Sequence, residues 1–404
     1  MKLGIVYHMP FWRAADGTLR EVEGSFARYV DSLAPYFDEI SLCVPVLADA
    51  RGEGTPIRAT NVTLAALPPF DGPVHFYPRL LSVLPRLWRW AGEIDVLHCR
   101  IPSPAAVFAF AFARLRLKPA FVLVVGDLEA LLPTMPYRGV KRVLWRIYTS
   151  FEEWNVQRMT DRSLAFANGA ALTEKHSRSW HQVIETTTTT IGLRDIATRS
   201  DTCAGPSIRV LTVSRIDPRK GLRVLPEVVR RLRAGGARVS LDIVGPVVGR
   251  PGEEERLAIL REAERLGVGA DVRALGPVAL DRLLPLYRDY DLFVLPTLPG
   301  EGIPRVLLEA MSGGVPIVTT RVAGIPSLIE HEMNGWLVDE PAAGVVADAI
   351  ARIIADAPLR RRLIANGYDT ARRFTLEAQA ARMLTQVASR LRVTLKQPAT
   401  VPAA

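Results

Sequence analysis

One pattern constrains this chain more than any other. Short apolar, β-rich runs alternate with helical stretches, and they do so in both halves. The first half offers Leu3–Tyr7, Ser41–Val44, Val96–His98 and Phe121–Val125 as strands. The second offers Val210–Val213, Val239–Val244, Leu292–Leu295, Pro316–Thr319 and Trp336–Val338. None of these runs alternates polar with apolar residues, which is the signature of parallel strands covered by helices on both faces. Between them lie the helical patterns Phe26–Tyr36, Leu222–Arg233, Glu253–Leu266, Val306–Met311 and Ala343–Ala355. The expected fold class is α/β, with two doubly wound, Rossmann-like units. A chain of 404 residues, 49% of them hydrophobic, is long and apolar enough for two cores.

The boundary is placed in 196–207, where Asp201, Gly205 and Pro206 signal a loop. That gives a first domain over 1–195, a linker over 196–207 and a second domain over 208–375. A final helical segment covers 376–396, and 397–404 is a tail. The threonine run Thr186–Thr190 reads as a strand because its residues are β-branched.

Charge and cysteines narrow the function classes. The formal net charge is +9, but the arginines are scattered and no zinc-finger or RNA-binding signature is present. No nucleic-acid partner is expected. Cys43, Cys99 and Cys203 are odd in number and fit neither a disulfide framework nor a metal site, so they read as reduced thiols. The chain opens on a strand pattern rather than a secretory signal, and Ala105–Ala113 is too short to span a bilayer before Arg114, Arg116 and Lys118 end it. The expected location is the cytoplasm, with peripheral contact at the inner face of the plasma membrane as an extension of that reading.

The strongest chemical signal is Gly300-Glu301-Gly302-Ile303-Pro304-Arg305-Val306-Leu307-Leu308-Glu309-Ala310-Met311. Pro304 suits the first turn of a helix, where its missing N–H costs nothing. Glu301 then lies in the preceding loop and Glu309 inside the helix. Carboxylates accept paired hydroxyls, and a helix start offers N–H donors to an anion, so the segment suits a nucleotide sugar. A plainer reading makes Arg305 and Glu309 a surface i,i+4 ion pair. The second signal is Val213-Ser214-Arg215-Ile216-Asp217-Pro218-Arg219-Lys220-Gly221-Leu222, a strand, a turn and a helix start. Arg215 and Lys220 can neutralise a departing diphosphate without metal. On its own this pair also fits two solvated cations on an exposed turn.

These stretches resemble the retaining glycosyltransferase family four, whose fold is GT-B. Glu301 and Glu309 match its E-x7-E motif and Arg215 and Lys220 its R-x4-K pair. The likeness continues through Gly313-Gly314-Val315-Pro316-Ile317-Val318 and back to Tyr290-Asp291-Leu292-Phe293-Val294-Leu295-Pro296. It covers most of 208–375, while the first domain matches mainly in its order of elements. The resemblance implies two domains facing across a cleft, with the helix Leu376–Leu391 crossing back to the first. It also implies transfer of a hexosyl-type sugar from a nucleotide-diphosphate donor, with retention, to a carbohydrate or lipid-linked acceptor, as in polysaccharide assembly. Catalytic roles fall to Glu301, Arg215 and Lys220. Donor binding falls to Glu309 (ribose), Gly302, Ile303, Pro304 and Gly24. The family's loop near Gly24 more often holds two glycines; Gly24-Ser25 equally fits a plain Ser N-cap. Asp127, after the strand Phe121–Val125, is an acceptor-binding candidate and equally a polar loop residue.

No metal and no cofactor is expected. Asp289-Tyr290-Asp291 spells Asp-x-Asp, a metal motif in a different glycosyltransferase fold, but it stands directly ahead of a buried strand and reads as a structural turn. The alternatives are a nucleotide-sugar epimerase or hydrolase on the same fold, for which no acid/base pair is evident, and a non-catalytic sugar-nucleotide sensor. Two basic amphipathic segments, Tyr77–Trp90 (Arg79, Arg86, Arg89) and Arg138–Tyr148 (Lys141, Arg142, Arg146), suggest an anionic membrane surface as a further partner. The competing reading turns their apolar sides to the core.

Overall fold

The structure, a computed structural model, describes residues 1–21, 24–49, 54–70, 72–132, 138–299, 303–322 and 324–398. The chain divides into two compact units, Met1–Thr188 with Leu376–Ala404, and Thr189–Thr375. Each is built on one parallel sheet.

The sheet of the first unit contains β1 (Lys2–Val6), β2 (Glu39–Pro45), β3 (Val62–Leu67), β4 (Val96–Ile101), β5 (Ala120–Val124), β6 (Leu164–Asn168) and β7 (Ile184–Thr186). Their spatial order is β7-β6-β5-β4-β1-β2-β3, all parallel. The chain works outward from β1 through β2 to β3, then returns to the other side of β1 with β4. The strand order therefore reverses between β1 and β4. A short antiparallel sheet of Phe11–Arg13, Leu19–Glu21 and Thr55–Pro56 stands beside it.

The second unit repeats the plan with β8 (Ile208–Val213), β9 (Val239–Val244), β10 (Val272–Gly276), β11 (Leu292–Leu295), β12 (Ile317–Thr320) and β13 (Trp336–Val338). Their order is β10-β9-β8-β11-β12-β13, again parallel, with the reversal between β8 and β11.

Two-sided burial explains the unbroken apolar runs. On β5, Phe121 and Leu123 enter one core with the helices Ser25–Leu33 and Leu376–Leu391. Val122 and Val124 enter the opposite core with Leu80–Glu93 and Pro104–Leu115. On β11, Leu292 and Val294 face the helices Leu225–Ala234 and Ala343–Ala355, whereas Phe293 and Leu295 face Arg305–Ser312. Successive side chains point to opposite faces, so a strand covered on both sides cannot afford a polar face.

The division of the chain differs from expectation at one end. Residues 196–207 are not a linker, because the chain joins the second unit already at Thr189. Ile191 is fully buried in that unit's core, Ala197 packs with Ile364 and Tyr368, and the Cys203 N–H donates to Asp291 at 2.7 Å. Polar composition marked a surface segment, but its backbone is tied down. The threonine run is a strand only to Thr186, where β7 ends. The segment Leu376–Leu391 belongs to the first unit, where Met383, Leu384 and Val387 are buried beside helix Ser25–Leu33. Most of the expected tail, 399–404, lies outside the described residues.

Candidate functional site

The second unit carries its candidate site at the strand-order reversal, where ligands bind in open α/β sheets. From the carboxyl end of β8 the chain runs through Ser214 and Arg215 into a 3-10 turn, Pro218–Lys220. The Asp217 carboxylate caps this turn by accepting the Arg219 N–H at 2.9 Å, and it grips the Arg219 guanidinium at 3.0 and 2.7 Å. The hydrogen bonds from Arg219 hold the Asp217 carboxyl down at about 2. Arg219 is thus engaged within the turn. Lys220, only 6% exposed, closes it.

This turn is fastened to its neighbours. Gly221 adopts φ 66°, and a Cβ there would meet the Pro296 carbonyl oxygen at 2.0 Å. The Leu298 N–H donates to the Arg219 carbonyl at 2.8 Å. On the other side Gly245, at φ 142°, leaves a Cβ only 1.9 Å from the Ser214 carbonyl oxygen. Such approaches need glycine. The loop after β11 is further held by Thr320, whose hydroxyl donates to the Thr297 carbonyl at 2.5 Å. One hydrogen-bonded frame therefore carries the Arg215–Lys220 turn and the loop leading toward residue 300.

Glu301 and Gly302 lie outside the described residues. Pro304 stands just before the helix Arg305–Ser312 rather than in its first turn, and Ile303 packs against the core below it. Glu309 is 4% exposed. Its Oε1 accepts the Thr190 hydroxyl at 2.6 Å and its Oε2 the Tyr287 hydroxyl at 2.9 Å. The surface Arg305–Glu309 pair is therefore not what this carboxylate does. Two hydroxyls fix its orientation, and its remaining lone pairs can still accept. Sequence reasoning missed Thr190 and Tyr287, since they stand 119 and 22 residues from Glu309 along the chain.

Asp289-Tyr290-Asp291 is a structural turn. The Asp291 oxygens accept the backbone N–H groups of Cys203 and Arg209 at 2.7 and 2.9 Å, and the buried Tyr290 hydroxyl donates to Asp242 at 2.7 Å.

In the first unit, Gly24 occupies the N-cap position of helix Ser25–Leu33 with φ 84°, and Ser25 is its first helical residue. A left-handed turn, not a Ser cap, starts this helix. The buried Glu21 carboxylate takes the Ala27 N–H at 2.7 Å in place of a capping side chain. Asp127 caps Leu128–Leu131 by accepting the Ala130 N–H at 3.0 Å. Asp127, Glu129 and Glu153 gather round the Lys175 ammonium at 2.8, 3.4 and 3.0 Å, so a side-chain cation already sits among these acids.

The reversal between β1 and β4 holds an arginine that the sequence reading passed over. Arg100, near the end of β4, is 8% exposed. Its guanidinium carbon lies 4.9, 5.1 and 4.6 Å from the ring centres of Tyr7, Phe26 and Tyr29. Its Nε is buried without a hydrogen-bond partner, and no carboxylate among the described residues pairs with it. His8 and His98 beside it are held neutral, first by burial and then by the Arg100 charge, with values near 4 and 3. His98 Nε2 meets the Tyr29 hydroxyl at 2.9 Å and its ring stacks on Phe121. Burying an unpaired cation costs several kcal/mol. Ring faces return about 0.5–2 kcal/mol each. A permanent charge inside the fully buried run of β4 was the available signal.

Comparison with known proteins follows this geometry. Residues 199–370 match the family model described as glycosyl transferases group 1. That match spans nearly all of the second unit. The second unit is thus similar to the group 1 glycosyl transferases. A putative colanic acid biosynthesis glycosyltransferase, WcaL of Salmonella typhimurium, is 35% identical over 38% of this chain and 37% of its own length. The alignment thus spans little more than a third of that relative. A phosphatidyl-myo-inositol mannosyltransferase of Mycobacterium leprae is 24% identical over 91% of this chain and 89% of its own. Among solved structures, Anabaena HepE in complex with UDP and glucose superposes with a TM-score of 0.67 at 17% identity, covering 96% of this chain and 100% of that one. The fold is GT-B, two Rossmann-like units. No helix among the described residues is long and apolar enough to cross a membrane.

Proposed function

We propose that this protein is a retaining glycosyltransferase that moves a hexosyl-type sugar from a nucleotide-diphosphate donor to an acceptor in polysaccharide or lipid-linked glycan assembly. One observation carries the reading. The Arg215–Lys220 turn and the loop entering the E-x7-E segment share one hydrogen-bonded frame, joined by Leu298 and Arg219 at the strand-order reversal. Arg215 and Lys220 stabilise the departing diphosphate, so the reaction needs neither metal nor cofactor. Glu309, oriented by Thr190 and Tyr287, accepts the ribose hydroxyls. Glu301 orients the donor sugar, with Gly302, Ile303 and Pro304 lining the donor and Gly24 approaching its diphosphate. The leaving phosphate oxygen takes the acceptor proton in a front-face displacement, as the family resemblance implies. Asp127, tied to Lys175, serves the acceptor by position rather than as a base. WcaL and the mannosyltransferase supply the precedent for glycan and lipid-linked acceptors.

Incubation of the full chain with radiolabelled nucleotide sugars and cell lipid extract tests this reading. Label should pass into the extract, and excess EDTA should leave the rate unchanged. An altered donor without transfer indicates an epimerase or hydrolase. Binding without turnover indicates a sensor.

Peripheral membrane attachment belongs to the same reading. On the helix Gly139–Thr160 the residues Val140, Val143, Leu144 and Ile147 are 76, 57, 60 and 63% exposed, and Phe151 and Trp154 continue the stripe. Lys141, Arg142 and Arg146 flank it. By contrast Leu80–Glu93 turns Val83, Leu87 and Trp90 into the core. The first of these helices presents the longer exposed apolar stripe, while Leu80–Glu93 exposes only Leu81 and Trp88 among its large apolar residues. Co-sedimentation with anionic vesicles should fall when Val143, Leu144 and Ile147 become Ser, and should not depend on Arg86 and Arg89.

A further inference from the structure

The first unit has a reversal point of its own, and among the described residues no carboxylate pairs with the charge there. Arg100, the penultimate residue of β4, lies against the rings of Tyr7, Phe26 and Tyr29 and is more than nine-tenths buried. Its Nε donates to nothing, and no described acid faces it. The imidazoles beside it, His8 and His98, are neutral and so supply no counter-charge. A second feature stands at the same strand end. Three residues on, Ser103 occupies the N-cap position of the helix Pro104–Leu115. Its hydroxyl makes no capping bond and is buried without a partner. An unused hydroxyl, a helix start and a buried guanidinium thus lie within a few residues of one another at the carboxyl end of β4. Helix starts attract anions, and guanidinium forks match phosphate and carboxylate oxygens. The ring cage lowers the cost of holding the cation when nothing is bound.

We propose that Arg100, with Ser103, binds an anionic group of the acceptor, a phosphate or a carboxylate, at the strand-order reversal of the first unit. This rests on the glycosyl-transfer reading and sharpens it, since it states that the acceptor carries a negative charge. Arg100 is then a specificity residue. A neutral acceptor would leave the guanidinium buried and unpaired.

The test uses the full chain labelled with 15N-arginine. The Arg100 Nε–H resonance, assigned by its loss in Arg100→Lys, is followed while inorganic phosphate or glucuronate is added. The same titrations are run in Arg215→Ala/Lys220→Ala, which removes the proposed diphosphate ligands of the second unit. The expected result is a saturable shift in both proteins, with phosphate affinity, read by calorimetry, at least tenfold weaker in Arg100→Met. Should Arg100→Met fail to fold, Arg100→Lys replaces it and should weaken binding severalfold. An unmoved resonance would identify the aromatic cage as a closed core element and overturn the proposal. A shift that disappears in the double variant would place the anion in the second unit, with the same consequence. A shift produced by a nucleoside diphosphate but by neither phosphate nor glucuronate would assign the group to the donor and defeat the acceptor reading. Transfer assays on the double variant report separately on the reaction itself, so the two readings fail independently.

Discussion

The two units meet the same geometric situation with different materials. In each, a parallel sheet reverses its strand order, the point at which such sheets open a crevice at the strand ends. In the second unit the crevice is made of backbone. Gly221 and Gly245 let loops touch carbonyl to Cα, and the cations Arg215 and Lys220 ride on the turn between them. In the first unit it is made of side chains. Arg100 comes from the strand itself, and Tyr7, Phe26 and Tyr29 shape the space around it. A site built from backbone demands particular residues at particular spacings and leaves a motif. A site built from side chains can be assembled from many sequences and leaves almost none.

The sharpest way to break this contrast is to remove the charges of the second unit. Lys220→Ala and Arg215→Ala should each lower turnover roughly a hundredfold or more with folding intact, because each removes charge stabilisation at the leaving diphosphate. Near-normal rates in both would return the turn to ordinary surface.

The backbone half of the comparison is tested at Gly221. Gly221→Ala forces a Cβ against the Pro296 carbonyl and strains a left-handed residue. It should cost about 2–3 kcal/mol in chemical denaturation and also reduce donor binding. A silent substitution would show that the two loops need not touch.

Glu309 asks whether a buried acid can serve both fold and ligand. Glu309→Ala strands the Thr190 and Tyr287 hydroxyls, so about 2 kcal/mol of stability should go together with nucleoside diphosphate affinity. Glu301→Ala should keep that affinity and slow only the full sugar donor. Equal losses of diphosphate affinity in both variants would contradict the division of labour.

The smallest effect distinguishes the units by pH. His8, His98 and His176 all lie in the first unit and are held near 4, 3 and 4, in each case first by burial. These groups are neutral when folded and protonate more readily when unfolded. Their contribution is complete above about 6.5, the ordinary histidine value, and drains away as pH falls toward 4. Glu152 and Glu153, raised by burial, act in the opposite sense over a narrower range. Calorimetry between pH 7 and 4.5 should therefore show the melting of the first unit falling ahead of the second. Parallel decline of both would remove the distinction.

Legibility followed the same division. Runs such as Val239–Val244 and Leu292–Leu295 were readable because two-sided burial leaves no polar position in them. The strand Val272–Gly276 was missed because it lies at the sheet edge, where Arg273 and Leu275 are exposed and the apolar run breaks up. The three-residue strands Phe11–Arg13 and Leu19–Glu21 are too short to show a period. The turn at Arg215–Lys220 was visible as local spacing. The partners of Glu309 were not, since contact across 119 residues is set by how strands stack, not by neighbours in the chain. At 196–207 polar residues suggested a linker, although loop composition reports exposure of side chains and says nothing of where the backbone amides go.

The return of Leu376–Leu391 to the first unit sets an order of events during synthesis. The second unit is complete once residue 375 has left the ribosome. The first is not, although its sheet was finished long before. Its core still lacks Met383, Leu384 and Val387, and Tyr29 still lacks the Met383 sulfur that its hydroxyl meets at 3.6 Å. The half that begins first is therefore the half that finishes last. A nascent chain stalled soon after residue 375 has emerged should display a protease-resistant second unit attached to a sheet with one face still wet.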